Sequence, residues 1–104
     1  MKSLIDYLPE KKEDQWLVID TVESVWSDIL RERFNQIDKW DRKFLVWDST
    51  LDRKNTVLGE EVGEVANAIL EDDVLNLRNE LIQVAAVCVA WIETLDNPPS
   101  LDSE

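Results

Sequence analysis

Glu60-Glu61-Val62-Gly63-Glu64, followed after fifteen residues by Glu80-Leu81-Ile82-Gln83-Val84-Ala85-Ala86, decides how this chain is read. Glu61 and Glu64 are three apart, and residues three apart on an α-helix are neighbours on one face. With Glu61 as zero on a helical wheel, Leu58 and Val65 lie at about 60° and 40°, and Glu64 at about −60°. Glu61 therefore edges an apolar stripe of Leu58, Val62, Val65 and Ile69, with Glu64 one step outside it. Ala68 falls between the two acids one turn on, where a small residue leaves room for an ion or substrate. Glu80 stands in the same relation to Leu77 and Val84, and Gln83 takes the place of Glu64. Carboxylates beside a core are costly unless they are paired or bind a metal. Hard cations such as Mg²⁺ take oxygen ligands, chiefly carboxylates, waters and substrate phosphates. Antiparallel packing of the two helices would bring both pairs together around such an ion.

Working outward, the chain reads as helices throughout. No glycine or proline occurs from Glu10 to Leu58. Ile19, Val22, Trp26, Ile29, Leu30, Phe34 and Ile37 recur at three- and four-residue spacing, which predicts an amphipathic helix from about Gln15 to about Trp40. The stretch from Trp40 to Leu51 either continues it or forms a connection, with Ser49-Thr50 and Asn55-Thr56 as breaks. A second helix is expected from near Thr56, with Thr56 as its N-cap, to about Glu71. Asp72 and Asp73 suit the start of the next helix, whose positive end favours acids. That third helix is expected from about Val74 to about Leu95, with Leu77, Leu81, Val84, Cys88, Trp91 and Leu95 in phase, and Asn97-Pro98-Pro99 stops it. No strand pattern, repeat or linker is seen. The expected fold is an all-α helical bundle in one domain over 1–97, with a disordered acidic tail over 98–104.

Composition sets further bounds. The chain has 104 residues, 44% of them hydrophobic, enough for one modest core. The run Val84 to Ile92 is apolar on every side, and a helix apolar all round is buried all round. Three helices can hardly cover it, so the bundle is expected to be completed by oligomerisation, as a homodimer or homotetramer. The net charge is −12, which argues against nucleic-acid polymers, whose affinity comes from Lys and Arg on phosphates. There is no histidine, which excludes histidine catalysis and histidine metal ligands. The single cysteine, Cys88, lies in an apolar run and is expected to be a buried structural thiol. The first residues lack the apolar core of a signal peptide, and no run is long enough to span a membrane, so a cytoplasmic location is expected.

Twenty-three acids will produce three-residue spacings by chance, and Glu10/Glu13 and Glu93/Asp96 are read that way, as solvated faces. The wider pattern is more specific. Glu60-Glu61-Val62-Gly63-Glu64-Val65-Ala66-Asn67-Ala68, then Leu77-Arg78-Asn79-Glu80-Leu81-Ile82-Gln83, resembles the MazG-like all-α nucleoside triphosphate pyrophosphohydrolases. Their signature is Glu-Glu-x-x-Glu, a spacer, then Glu-x-x-Asp. Arg33-Phe34-Asn35-Gln36-Ile37-Asp38-Lys39-Trp40 also looks like the end of that family's first helix. The resemblance implies a bundle of at least two subunits and Mg²⁺, or Mn²⁺ in its place, on the signature carboxylates. It implies hydrolysis of a nucleoside triphosphate between the α- and β-phosphates. On this chain Glu61, Glu64 and Glu80 become the expected metal ligands, with Gln83 as fourth. Glu60 and Glu61 become the residues that orient or deprotonate water.

Two departures bear on function. Gln83 stands where the family has Asp; its carbonyl can bind a metal but brings no charge and no base. The basic residues that often follow in the family are replaced by Asn97-Pro98-Pro99 and an acidic tail. Phosphate contacts must then come from elsewhere, with Arg33, Lys39, Lys43 and Lys54 as candidates and an ordinary surface charge as the alternative for each. Trp26 and Trp91 fall on core stripes, whereas Trp40, beside Lys39, is the candidate for stacking on a base. Three functions compete: a nucleotide pyrophosphohydrolase, a weak or inactive nucleotide- or metal-binding relative, and an acidic helical interaction module.

Overall fold

A computed structural model describes residues 13–40 and 49–98, and among these it contains three α-helices and no strand. Helix α1 spans Glu13–Trp40, α2 spans Leu51–Leu70 and α3 spans Val74–Asp96. The N-terminal boundary of α2 differs from the expected one. Thr50, in extended conformation, caps it by accepting a hydrogen bond from the Arg53 backbone N–H at 3.1 Å. Thr56 lies inside the helix and donates its hydroxyl to the Asp52 carbonyl at 3.0 Å. Nothing between Leu51 and Asn55 breaks a helix, so the earlier cap prevails.

A three-residue connection joins α2 to α3. The Asp73 N–H reaches the Ala68 carbonyl and the Asp72 N–H the Ile69 carbonyl, both at 3.1 Å. This pair of bonds is a Schellman closure, with Asp72 at φ 54 in the left-handed position glycine usually takes. Asp73 also caps α3, accepting from the Asn76 N–H at 3.0 Å. So tight a link makes α2 and α3 an antiparallel hairpin. Helix α1 packs chiefly on α3.

The seam between α2 and α3 runs through Lys54, Val57, Leu58, Glu61, Val65 and Ala68 on one side. Ala86, Val87, Ala90 and Thr94 lie on the other. Its apolar centre is Val87 and Ala90 with Val57, Leu58 and Trp91 packed against them. The observed faces are rotated from the expected stripes. Val62, Ile69, Leu81 and Leu95 are exposed, and on α3 the small Ala86 and Ala90 take the contact instead. A run that is apolar all round gives no phase of its own, and small side chains let the helices approach most closely. Ala68 is likewise sealed in the seam, so it opens no room for a ligand. Cys88 is half-buried rather than buried.

On α1 the inward line is Ile29, Arg33 and Gln36, two of them polar, while Trp26, Leu30 and Phe34 face outward. Every side chain from Thr21 to Ser27 is exposed, so α1 projects beyond the hairpin. The radius of gyration, 16.1 Å, accordingly exceeds the roughly 13 Å of a compact chain this long. No helix among the described residues is long and apolar enough to cross a membrane.

Candidate metal centre

The same seam that is apolar around Val87 becomes acidic towards the hairpin turn. Glu61 lies on it between Leu58 and Val65, and Glu80 occupies the matching stretch of α3. Both are half-buried. There α1 closes over them, and the three helices enclose a cleft of about 390 Å³. Helix α2 contributes Glu61 and Glu64, α3 contributes Glu80 and Gln83, and α1 contributes Glu32, Asn35, Gln36 and Lys39. The carboxylates feel one another. Burial pushes the Glu61 carboxyl above its ordinary value, and the charges of Glu80, Glu64, Glu60 and Glu32 push it further the same way.

Five of the residues singled out in the sequence thus share one wall: Glu61, Glu64, Glu80, Gln83 and Lys39. Glu60 is exposed and off that wall; it acts on the cleft through its charge on Glu61. Arg33 and Lys54 are not brought to the wall either. Arg33 is buried and pairs with Glu93 at 2.6 Å, while donating to the Gln36 Oε1 at 3.1 Å. Lys54 is buried on the seam and donates to the Ser49 carbonyl and hydroxyl. Neither is the surface charge that was the alternative to a phosphate contact. The Trp40 side chain and Lys43 lie outside the described residues, as does the tail from 99 onward.

Gln36, Asn35 and Glu32 are the cleft residues that sequence reasoning did not single out. Gln36 is almost fully buried and is held from behind by Arg33, which is itself anchored by Glu93. Glu93, read from its spacing as a solvated acid, is therefore a cross-helix anchor. The signal was present: Arg33 and Gln36 follow Ile29 at helical spacing, but polar residues on an inward line are invisible to a search for apolar stripes.

The donor set is chemically suited to a hard cation, because every side-chain donor facing the cleft from α2 and α3 is an oxygen-bearing group. Among the described residues no three acids converge on a single point. Mg²⁺ does not need them to, since it takes one or two carboxylates and completes its shell with waters and phosphate oxygens. A cation would also reverse the repulsion that burdens Glu61. No family model, curated protein or solved structure matches this chain.

Proposed function

We propose that this chain is a Mg²⁺-dependent nucleotide pyrophosphohydrolase, cleaving a nucleoside triphosphate to monophosphate and pyrophosphate. One observation carries the reading: half-buried Glu61 and Glu80, with the exposed Glu64, line one open cleft. Glu61, Glu64 and Glu80 are assigned to the cation, one or two of them directly and the rest through its waters, with the Gln83 carbonyl as a neutral ligand. When bound, the cation neutralises phosphate charge and makes a nearby water more acidic. Glu61 is assigned to orient that water and accept its proton. Water oxygen attacks the α-phosphorus, the bond to the bridging oxygen breaks, and pyrophosphate leaves. The Arg33–Glu93 pair holds Gln36 in the cleft wall. The test is incubation of the full chain with a panel of nucleoside triphosphates and Mg²⁺. Pyrophosphate is the expected product, abolished in Glu61→Gln; release of orthophosphate alone, or no turnover with any triphosphate, would count against it.

Gln83 favours a second reading, a nucleotide-binding relative with little turnover, because an amide lines the cleft where a carboxylate would strengthen the site. Gln83→Asp separates the two. Without metal the added charge should destabilise the fold; with Mg²⁺ the variant should bind the ion more tightly than the parent. Activity appearing only in Gln83→Asp favours the second reading, and activity already present in the parent favours the first.

The apolar strip of Leu81, Ile92 and Leu95 left uncovered on α3 supports a homodimer or homotetramer as the working state.

A further inference from the structure

A second cleft, of about 380 Å³, adjoins the acidic one and shares Glu32, Asn35 and Gln83 with it. Its character is different. Arg31 and Arg78, from α1 and α3, both bind the carboxylate of Asp28, at 3.4 Å to one oxygen and 2.6 Å to the other. Asn79 and Ile82 complete its α3 side. Together the two guanidinium forks offer roughly ten N–H donors. Asp28 accepts one from each. Both side chains line the cleft and are 74% and 52% exposed, so most of their donors are open to solvent. The pairing with Arg78, ahead of the weaker influence of Arg31, holds Asp28 below the usual carboxylate range, so it stays ionised and keeps the two cations together.

Charge balance gives this pair its use. The chain carries −12, and among the described residues the acidic cleft is lined by one cation, Lys39. A triphosphate chelated there still carries negative charge that one divalent ion cannot cancel. Arg33 and Lys54, which are buried, are committed to Glu93 and Ser49. Arg31 and Arg78 stand next door, and guanidinium is the side chain that best matches phosphate oxygens, through paired hydrogen bonds.

We propose that the Arg31–Arg78 cleft is the anion end of the substrate site and takes the terminal, β- and γ-phosphates, which leave as pyrophosphate. This rests on the pyrophosphohydrolase reading, since it presumes that the α-phosphate lies at the acidic cleft. Asp28 then competes with the phosphate for both guanidiniums and gives way, in part, to its oxygens.

The test uses Mg²⁺-pyrophosphate as probe, titrated calorimetrically into the full chain, with a nucleoside monophosphate as comparison. Arg31→Gln and Arg78→Gln should each weaken pyrophosphate binding about tenfold, the effect of losing a charged hydrogen bond, and leave monophosphate binding unchanged. Arg53→Gln, which removes the same charge from an exposed position on α2 outside both clefts, should bind as the parent does. Asp28→Asn loses the same link between α1 and α3 as Arg78→Gln, so its melting temperature should fall similarly. Its pyrophosphate affinity should nevertheless rise, because both guanidiniums are released. Parent-like affinity in both arginine variants, an equal loss in Arg53→Gln, or weaker binding in folded Asp28→Asn overturns the proposal. A parent that Mg²⁺ stabilises but that binds no pyrophosphate overturns the anion end while leaving the metal centre standing. A parent with no response to Mg²⁺ at all removes both.

Discussion

Glu61 is where the local physics is most sharply opposed. A carboxylate on a helix seam, half-buried and among four other acids, is pushed above its ordinary value of 4.5, first by burial and then by Glu80 and Glu64. The sign of the consequence follows. Between 4.5 and the raised value the folded chain holds more protons than the unfolded one, so stability falls as pH rises through that window. Above it the full penalty is present; below 4.5 it is gone. Glu61→Gln keeps the shape and removes the charge. At pH 7 without metal it should raise the melting temperature, though only modestly, because solvent screens a half-buried charge. The gain should vanish below pH 4. With Mg²⁺ the order should invert, because the parent gains a ligand that the variant binds weakly. Thermal melts of both proteins at pH 4 and pH 7, with and without Mg²⁺, check all three statements. A variant that melts below the parent at pH 7 without metal would mean that Glu61 is held by contacts rather than strained by charge.

At the scale of elements, much was legible and the failures have physical causes. Helices α1 and α3 contain no glycine or proline, α2 forms with Gly59 and Gly63 inside it, and the ends fall close to the expected places except at Thr50. Two threonines competed for that cap, and only the geometry of the preceding Ser49 and Thr50 distinguishes them. The facing of α1 could not be read. Trp26, Leu30 and Phe34 look outward, and Arg33 and Gln36 look inward beside Ile29 because Glu93 of α3 waits for Arg33, a pairing between residues sixty apart in the chain. By contrast, the acids of α2 and α3 were legible, since the three-residue spacing within each helix and the hairpin between them bring Glu61, Glu64, Glu80 and Gln83 to one wall. That hairpin depends on its turn. Asp72 adopts a left-handed conformation with φ 54, which is unfavourable for residues other than glycine and tolerated by Asp and Asn. Asp72→Gly should stabilise the chain by about 0.5 kcal/mol, after allowing for the greater freedom of glycine when unfolded. Asp72→Val should destabilise it by about 1–2 kcal/mol, since a β-branched residue resists this region most. Urea denaturation with an unchanged slope would register both. If valine proved as stable as aspartate, the closure would not be what fixes the register of α2 on α3.

Across the described residues, α3 leaves apolar side chains uncovered. Leu81, Ile92 and Leu95 are 51%, 56% and 63% exposed. Together with Cys88 they form one strip at helical spacing, nearly opposite the face of α3 that meets α2. On α1, Phe34 is 62% exposed as well. Such a strip on a chain of charge −12 fits a second copy. Burying three such side chains contributes about 1.5–3 kcal/mol each. Repulsion between the acidic copies opposes this and is screened by salt, so association should tighten as ionic strength rises. In an isolated chain, replacing exposed Leu81 by Glu would change stability by no more than about 0.5 kcal/mol. In an associated one it places a charge in an apolar interface. Sedimentation at micromolar concentration should therefore give about two or four times 12.1 kDa for the parent, and a smaller species for Leu81→Glu. The parent's melting temperature should also rise with protein concentration, and the variant's should not. A parent that sediments as a monomer, with Leu81→Glu neutral, would mean that the strip is only surface.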